Sequence, residues 1–389
     1  MIRPTIATVD LDAIRANCRA IVSLVSRESR AASASAPGVI AVVKANAYGH
    51  GATAVGPALE EAGAAMLACA DIEEGLSLRE AGVTIPILVF GALSVSELDG
   101  VFAHGLTPTV STPGAARALE ARAAAHGVTI GCHLKIDTGM NRLGFRHDNL
   151  RRTMPDVLGS PHLRVDAVYT HFATADDPES PFLDEQRARF DQAMAALGAM
   201  GLRGVKRHAC NSAALLRDAR LWLDFVRPGL LLYGIVPPPL ATEIALRPAL
   251  SLVSRIVAVK GVRTGEGTSY GLRWRADGPR TLAIVPAGYA DGLDTRLGNR
   301  GVALLRGRRV PIVGAVCMDM LMIDVTGLDV SPGDEVVFIG RQGDDAITAR
   351  EMAASIGTIP WEVVCRLGAR IERKYESSSK FEVRSSNQD

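Results

Sequence analysis

V-I-A-V-V-K-A-N-A-Y-G-H-G, residues Val39 to Gly51, is the stretch on which the fold of this chain depends. Its first half is apolar and rich in β-branched residues, which predicts a buried parallel strand. The strand ends at Lys44, where a lysine must reach water, find a partner or lose its proton, because an isolated ion is costly inside a core. A glycine loop carrying Tyr48 and His50 follows. A solvated lysine is one interpretation; the other is an amine placed to form a Schiff base with a carbonyl cofactor.

The segments around this stretch repeat one pattern, in which short apolar runs alternate with amphipathic, Ala-rich segments. The predicted strands are Val39–Lys44, Met66–Ala70, Ile85–Gly91, Leu106–Ser111, Ile130–Asp137, Arg164–Phe172, Lys206–Asn211 and Phe225–Tyr233. The helical segments include Asp10–Val25, with Asp10 as a possible N-cap, and Ala52–Ala62, Ile72–Ala81, Pro113–His126 and Phe182–Met200. Eight alternations favour an α/β fold, a (β/α)8 barrel of the TIM type. An open doubly wound sheet is the competing fold, but no G-x-G-x-x-G follows the first strand.

The pattern changes after the proline-rich turn at Pro237–Pro239. From there, strands separated by Gly and Pro predict a mainly β domain with one helix, Thr348–Ile356. We therefore expect a barrel over residues 1–244 and a mainly β domain over residues 245–375. Residues 376–389 are Ser-rich and charged, which predicts a disordered tail.

Charge and cysteine usage limit the partners and the compartment. The chain has 43 Lys and Arg against 42 Asp and Glu, so no strong field attracts nucleic acid or an acidic membrane. No apolar run is long enough to span a bilayer, and the N-terminus has no apolar signal segment. The six cysteines are scattered, mostly flanked by apolar residues, and form no C-x-x-C pair, which predicts buried thiols in a reducing cytoplasm and no zinc site.

Unusual polar residues fall where the predicted barrel strands end, and function collects at that end of such barrels. Lys44 ends the first strand, the fifth runs into L-K-I-D-T-G-M-N-R-L-G, His171 follows the sixth, and Arg227 lies in the eighth. Barrels of this type often bind phosphate in the loops after strands seven and eight. Asn211 and Ser212 end strand seven, and the backbone amides of Gly229 and Leu230 follow Arg227. A simple N-cap role for Ser212 is the alternative.

The motif V-V-K-A-N-A-Y-G-H-G resembles the lysine signature of the alanine racemases, which use pyridoxal 5′-phosphate (PLP). The resemblance runs along nearly the whole chain, from R-P-T-I-A-T-V-D-L-D-A-I at Arg3 to I-P-W-E-V-V-C at Cys365. It implies a cytoplasmic homodimer that interconverts L- and D-alanine by two-base racemisation, either supplying D-alanine for peptidoglycan or catabolising it. The rival interpretations are an amino-acid racemase of broad specificity, a PLP-dependent decarboxylase of the same fold, and a non-catalytic PLP carrier.

The resemblance also assigns residues to the cofactor. Lys44 would carry PLP as a Schiff base and would be the base that removes the α-proton of the D-enantiomer. Arg227 would face the pyridine nitrogen; because arginine can only donate, the ring would be a weaker electron sink and side reactions would be suppressed. The remaining cofactor-binding residues implied in this way are Tyr48, His171, Asn211, Ser212, Gly229 and Leu230.

A second set of residues is implied for the substrate. Arg142 would contact the substrate carboxylate and the phenolic oxygen of the cofactor. Lys135 would be carbamylated and would orient Arg142, although an ordinary, partly exposed amine is the alternative. Tyr270, in T-S-Y-G, would be the second base and would come from the partner subunit with Met318 and Asp319; a plain turn tyrosine is the alternative. His171 would connect Tyr270 to Arg227, and Tyr289 would line the entrance.

One position departs from the family pattern. Trp361 stands in I-P-W-E-V, where the family usually has a tyrosine whose hydroxyl reaches the cofactor phosphate. An indole N–H donates but cannot accept, and it lies at a different angle. A replacement hydrogen bond, a bridging water or no contact are the three possible outcomes. We expect Trp361 to form a wall of the site with at most an indirect phosphate contact.

Overall fold

The computed structural model describes residues 4–31, 35–93 and 97–377. The chain divides into two compact units. The barrel unit comprises Arg15–Ala47 and Gly51–Leu246. The sheet unit comprises the chain up to Ile14, the segment Tyr48–His50 and the chain from Arg247 onward. None of the helices in the described ranges is both long enough and apolar enough to cross a bilayer.

The strands are numbered in chain order. They are β1 Ile6–Asp10, β2 Gly38–Val42, β3 Met66–Cys69, β4 Ile87–Val89, β5 Thr107–Val110, β6 Ile130–Asp137, β7 Phe145–Arg146, β8 Leu163–Tyr169, β9 Lys206–Asn211, β10 Phe225–Arg227, β11 Leu250–Arg255, β12 Ala258–Val262, β13 Gly267–Thr268, β14 Trp274–Arg275, β15 Arg280–Val285, β16 Val302–Leu305, β17 Arg308–Val313, β18 Leu321–Asp324, β19 Glu335–Gln342, β20 Asp345–Ile347 and β21 Glu372–Glu376. The longer helices are Leu11–Ala31, Ala52–Glu61, Ile72–Glu80, Pro113–Ala125, Phe182–Ala199 and Ala349–Ser355. Short helices are Asp99–Ala103, Leu150–Thr153, Pro155–Leu158, Ser212–Arg217 and Pro360–Cys365.

The barrel unit contains a closed ring of eight parallel strands. Pairing runs β2–β3–β4–β5–β6–β8–β9–β10, and β10 pairs with β2 to close the ring. Val39 to Val43 are buried, as expected for a strand covered on both faces. The predicted (β/α)8 barrel is confirmed, and all eight predicted strands lie in it. The eighth is shorter than predicted, because Leu230–Tyr233 forms a turn of 3-10 helix.

Polar side chains cap the barrel helices where the sequence offers them. Asp71 accepts the N–H of Glu74, and Thr112 accepts that of Ala115. The helix that begins at Leu11 has Asp10 as its cap, with 2.8 Å from the Ala13 nitrogen to the Asp10 carboxylate. That helix continues to Ala31, beyond the predicted end at Val25, because alanine and arginine sustain a helix.

The sheet unit is mainly β. Its strands follow the order β12–β15–β18–β17–β16–β19–β11–β1–β21, with β20 beside β19. The N-terminal strand β1 pairs antiparallel with β11 and parallel with β21, so it belongs to this sheet although the sequence placed residues 1–244 in the barrel. Glu376 is the last residue of β21. The expected disordered tail falls, from residue 378 onward, outside the described residues.

Candidate active site

Lys44 follows β2 by two residues and opens a turn of unusual handedness. The backbone φ angles of Ala45, Asn46, Ala47 and Tyr48 are 52°, 52°, 54° and 52°, so four consecutive non-glycine residues adopt the left-handed helical conformation. Each such residue costs roughly 1–2 kcal/mol relative to the right-handed form. The Asn46 side chain helps to hold the turn, because its Oδ1 accepts the N–H of Ala52 at 2.7 Å. A strained backbone of this kind needs contacts that fix it, and it is typical of functional sites.

The end of the turn is fixed within the sheet unit. Gly49 has φ +80°, and a Cβ there would lie 2.1 Å from the carbonyl oxygen of Val364, so only glycine fits. Arg373 Nε donates to the Gly49 carbonyl at 3.1 Å. Tyr48 is buried, and burial is the main cause that raises the pKa of its hydroxyl well above its usual value, with a smaller contribution from Cys365. Tyr48 therefore keeps its proton and can donate to an anion.

Ser212 joins the loops that follow β9 and β10. Its Oγ accepts the Gly229 N–H at 2.8 Å. The helix N-cap is Asn211, whose Oδ1 accepts the Ala214 N–H at 2.9 Å, so Ser212 is not the cap. The Ser212 hydroxyl proton remains able to donate to an anion, and Leu230 opens a helical turn whose first N–H groups have no partner inside the turn. The loops after β9 and β10 are therefore in contact, and phosphate binding there stays a prediction.

Arg227 is 3% exposed and is held by neutral groups. Its Nη2 donates to the carbonyls of Thr170 and Ala209, both at 2.9 Å, and to His171 Nδ1 at 3.2 Å. Its Nη1 donates to His208 Nδ1 at 2.9 Å. Among the described residues, no carboxylate forms an ion pair with it. Burial lowers the pKa of Arg227 to about 10, so the guanidinium stays charged near neutral pH.

These contacts fix the tautomers of the surrounding histidines. Since arginine only donates, Nδ1 of His171 and of His208 must accept, and each ring carries its proton on Nε2. His208 Nε2 then donates to His133 Nδ1 at 3.0 Å. Burial is the first cause that lowers the pKa of His133 to about 4, and it lowers the pKa of His171 and His208 well below 6.5. All three rings are therefore neutral at physiological pH.

Lys135 lies in β6 and is 6% exposed, which differs from an ordinary, partly exposed amine. Its Nζ lies 5.6 Å from the centroid of the Tyr169 ring. Burial, and then the positive charges of Arg142, Arg227 and Lys44, lower its pKa to about 8, against the opposing effect of Asp137. A substantial fraction of this amine is neutral at a mildly alkaline pH.

Four cations thus act on one region at the strand ends of the barrel, and only Asp137 opposes them in the electrostatics of Lys135. Arg142 itself is exposed, in the loop after β6. This excess of positive charge, together with the Ser212 hydroxyl and the backbone amides of the Leu230 turn, fits a ligand with a phosphate group and a carboxylate. The residues present therefore fit PLP together with an amino acid.

The predicted residues of the sheet unit lie on its surface. Tyr270, Met318 and Asp319 line one open cavity of about 1090 Å³. Tyr270 is 76% exposed and Met318 is 52% exposed. Tyr289 is exposed as well, and its N–H donates to the carbonyl of Cys317 at 3.0 Å, beside Met318. The C-M-D-M stretch and the two tyrosines therefore share one exposed face of this unit.

Comparison with known proteins identifies the family. Residues 9–237 match the model of the alanine racemase N-terminal domain, and residues 249–375 match the model of the C-terminal domain. The chain belongs to the alanine racemase family. It is 42% identical over 375 residues to an alanine racemase from Symbiobacterium thermophilum, which covers 96% of this chain and 97% of that protein.

Solved structures of the family have the same fold. The alanine racemase of Streptomyces lavendulae aligns with a TM-score of 0.91 and 34% identity, covering 97% of this chain and 98% of that one. The alanine racemase of Bartonella henselae, a structure with covalently bound pyridoxal phosphate, aligns with a TM-score of 0.84 and 27% identity. That alignment covers 96% of this chain and 99% of the other.

Sequence reasoning missed Arg370, which organises the face that carries Met318 and Tyr289. Its Nε and Nη2 bind both oxygens of the buried Asp291 at 2.7 and 3.1 Å. Its Nη1 donates to Asp319 at 2.7 Å, and Nη2 also donates to the Met318 carbonyl at 3.2 Å. An arginine far from both loops in sequence gives no local signal, so this role depends on the tertiary fold.

Trp361 lies in the sheet unit, in the short helix Pro360–Cys365, and it is partly exposed. Its role as a wall of the site stays a prediction. The contact with a phosphate stays a prediction.

Proposed function

We propose that this protein interconverts L- and D-alanine with PLP as its cofactor. The observation that carries the proposal is the match to both alanine racemase domains along nearly the full length of the chain, combined with the cationic cluster at the barrel strand ends. When bound, PLP supplies a carbonyl group that captures amines and a ring that delocalises charge from the α-carbon. The protein supplies binding, orientation and two proton-transfer groups.

The cofactor is held in this proposal by residues that the sequence motifs single out. Lys44 provides the covalent attachment. Tyr48, Ser212 and Leu230 donate to the phosphate. Gly229 orients the Ser212 hydroxyl through its N–H, and Asn211 caps the helix that Ser212 begins. Arg227 donates to the ring nitrogen and, as a permanent cation, keeps that nitrogen unprotonated. The observed hydrogen bonds of Arg227 to His171 and His208 support this role, because they fix the plane of its guanidinium.

Proton transfer requires a group on each face of the α-carbon. Lys44 Nζ takes the proton from D-alanine on one face. Tyr270 Oη of the partner subunit delivers a proton to the other face, and His171 Nε2–H connects that tyrosine to Arg227. Arg142 binds the substrate carboxylate with its planar fork. Met318 and Asp319 of the partner subunit border the substrate, and Tyr289 lines the entrance.

We propose a homodimer because the sheet unit exposes apolar side chains that a second chain would cover. Large exposed hydrophobic side chains of this unit are Val257, Val259, Tyr270, Leu272, Tyr289, Met318, Met320 and Ile359. Of these, Tyr270, Leu272, Met318 and Met320 line one open cavity, and a contiguous exposed apolar patch is typical of an interaction surface. A cytoplasmic location is supported by the six cysteines, none of which forms a disulfide within the described residues and four of which are buried.

Carbamylation of Lys135 belongs to the same proposal. Only a neutral amine reacts with carbon dioxide, and the lowered pKa of about 8 makes that form accessible. The product is an anion beside Arg142, Arg227 and Lys44, so it would relieve their mutual repulsion. It would also give the exposed Arg142 a partner that orients it toward the substrate.

Circular dichroism of the purified, PLP-loaded protein with L-alanine tests the function. We expect the ellipticity to decay to zero, and D-alanine should reach the same endpoint from the opposite sign. An ellipticity that stays constant with both enantiomers contradicts the proposal, and release of carbon dioxide indicates a decarboxylase. The ratio kcat/KM for serine and larger amino acids, relative to alanine, separates a dedicated alanine racemase from a broad one.

The variant Trp361→Tyr is expected to leave PLP affinity unchanged or slightly improved, by no more than about 1.5 kcal/mol for one neutral hydrogen bond. Tyr48, Ser212 and Leu230 already supply donors to the phosphate in this proposal. The change should therefore appear in KM or in the acceptance of larger substrates, because the wall becomes smaller. Titration of the apoprotein with PLP, with steady-state kinetics, measures both. A large fall in PLP affinity would show that the indole itself holds the cofactor.

A further inference from the structure

The strained turn after Lys44 is held at its first peptide by one carboxylate. Glu74 Oε1 accepts the N–H of Ala45 at 2.6 Å. Its other oxygen, Oε2, accepts the N–H of Ala70 at 2.7 Å. Ala45 follows β2 and Ala70 follows β3, which are neighbouring strands of the barrel. The carboxylate therefore bridges two adjacent strand ends, and one of them carries Lys44.

Glu74 is well placed to act as a fixed anchor. It lies in the first turn of the helix Ile72–Glu80, and its own N–H donates to the N-cap Asp71 at 2.8 Å. The next residue, Gly75, packs so closely on Leu106 that a Cβ would lie 2.8 Å from its Cδ1. The start of the helix is thus fixed by its cap and by close packing. The Glu74 carboxylate therefore has little freedom to move with the turn that follows Lys44.

A general charge effect does not account for this geometry. An acidic residue in a first helical turn favours the helix dipole, and Glu73 supplies the same charge one residue earlier. Glu73 is exposed, whereas Glu74 is partly buried and uses both oxygens on backbone N–H groups. Charged hydrogen bonds of this kind are about twice as strong as neutral ones. The turn needs such a contact, since four residues in the left-handed conformation are unfavourable by themselves.

We propose that Glu74 is a positioning residue that holds the left-handed turn and thereby aims Lys44 at the reacting carbon. The role of Lys44 in this inference rests on the proposed function. Glu74 touches neither cofactor nor substrate in it; it acts through the Ala45 peptide. Loss of the bridge lets the first peptide of the turn rotate, so the amine is misplaced while the rest of the barrel remains folded.

Glu74→Gln tests this inference, with Glu73→Gln as the matched control. Glutamine has the size of glutamate, but only its side-chain carbonyl oxygen can accept a hydrogen bond. Either the Ala45 or the Ala70 N–H would therefore face the side-chain NH2 group, which is itself a donor. Hydrogen exchange of the apoprotein should show the Ala45 or Ala70 amide exchanging roughly 10- to 100-fold faster, as expected for the loss of a charged hydrogen bond. Glu73→Gln removes the same charge and should leave both amides as in the wild type.

Kinetics of the PLP-loaded variants supply the second readout. In Glu74→Gln we expect kcat to fall by roughly 10- to 100-fold with KM for alanine little changed, because a displaced amine affects proton transfer more than binding. PLP should also dissociate faster on dialysis. The inference is overturned if Glu74→Gln has the same kcat as Glu73→Gln and the same hydrogen-exchange rates at the Ala45 and Ala70 amides. Absence of racemisation in the wild type would instead overturn the proposed function, and the exchange result would still report on the turn.

Glu74→Asp covers the case in which Glu74→Gln does not fold. Aspartate keeps the charge at the helix start but is one methylene shorter, so it cannot reach both amides. We expect a thermal midpoint close to that of the wild type, faster exchange of at least one of the two amides, and a smaller fall in kcat than for glutamine. If both amides exchange at the wild-type rate in Glu74→Asp and kcat is also that of the wild type, the carboxylate bridge between the two amides is not required.

Discussion

Lys44→Ala is expected to abolish covalent attachment of PLP, so that borohydride no longer fixes the cofactor to the protein. The attachment requires a primary amine at the end of β2, and no other amine is proposed to reach the cofactor aldehyde. Racemisation should fall by at least the 10²–10⁴-fold typical of a lost acid–base group, because Lys44 is proposed to be one of the two bases as well. The visible spectrum of the purified variant, before and after borohydride, measures the attachment.

Lys135→Ala is the control that distinguishes attachment of PLP at Lys44 from attachment at Lys135. Lys135 is the second lysine of the cationic cluster, and its pKa of about 8 makes it the competing nucleophile. If the assignment is correct, borohydride still labels Lys135→Ala, and peptide mapping finds the label on Lys44. A cofactor absorption band that borohydride fixes in Lys44→Ala would show that another amine carries PLP.

The barrel could be predicted from the sequence because its signals are local. Each parallel strand is a short apolar run, and several helix starts have a polar cap, among them Asp10, Asp71 and Thr112. The placement of β1 could not be predicted in this way. It pairs with β11 and β21, more than 240 residues away, and nothing in a five-residue alternating strand specifies its neighbours.

The candidate site, too, was predictable only where its residues have a local sequence signal. Lys44, His171, Ser212 and Arg227 were identified from their positions at strand ends, and the structure places their strands next to one another in one closed barrel. The handedness of the turn after Lys44 was not predictable, since A-N-A-Y has no glycine to signal positive φ. Glu74 and Arg370 were missed for the same reason. The partners that define their roles, the Ala45 N–H for Glu74 and Asp291 for Arg370, are distant in sequence, so the signal exists only after folding.

The second large effect is expected for Tyr270→Phe. PLP should remain bound, because the phosphate and ring contacts proposed here come from other residues, while racemisation falls by something like 10²–10⁴-fold. The side chain is 76% exposed in the single chain, so removing its hydroxyl should not alter the stability of the sheet unit. Exchange of the α-hydrogen with deuterated solvent should become unequal for the two enantiomers, because Lys44 still serves one face. Equal losses of exchange for L- and D-alanine would contradict a two-base arrangement.

The subunit that supplies Tyr270 can be determined by mixing two inactive variants, Lys44→Ala and Tyr270→Phe. If Tyr270 crosses to the partner, a mixed dimer has one site with both wild-type bases and one site with neither. Random exchange of equal amounts makes half of the dimers mixed, so recovery should approach about a quarter of the wild-type activity. Mixing Lys44→Ala with the double variant Lys44→Ala/Tyr270→Phe creates no intact site and should restore nothing. If subunit exchange is confirmed independently and activity still does not return, Tyr270 acts in the site of its own chain. The exposed face that carries Tyr270 and Met318 would then have a purpose other than completing a neighbouring site.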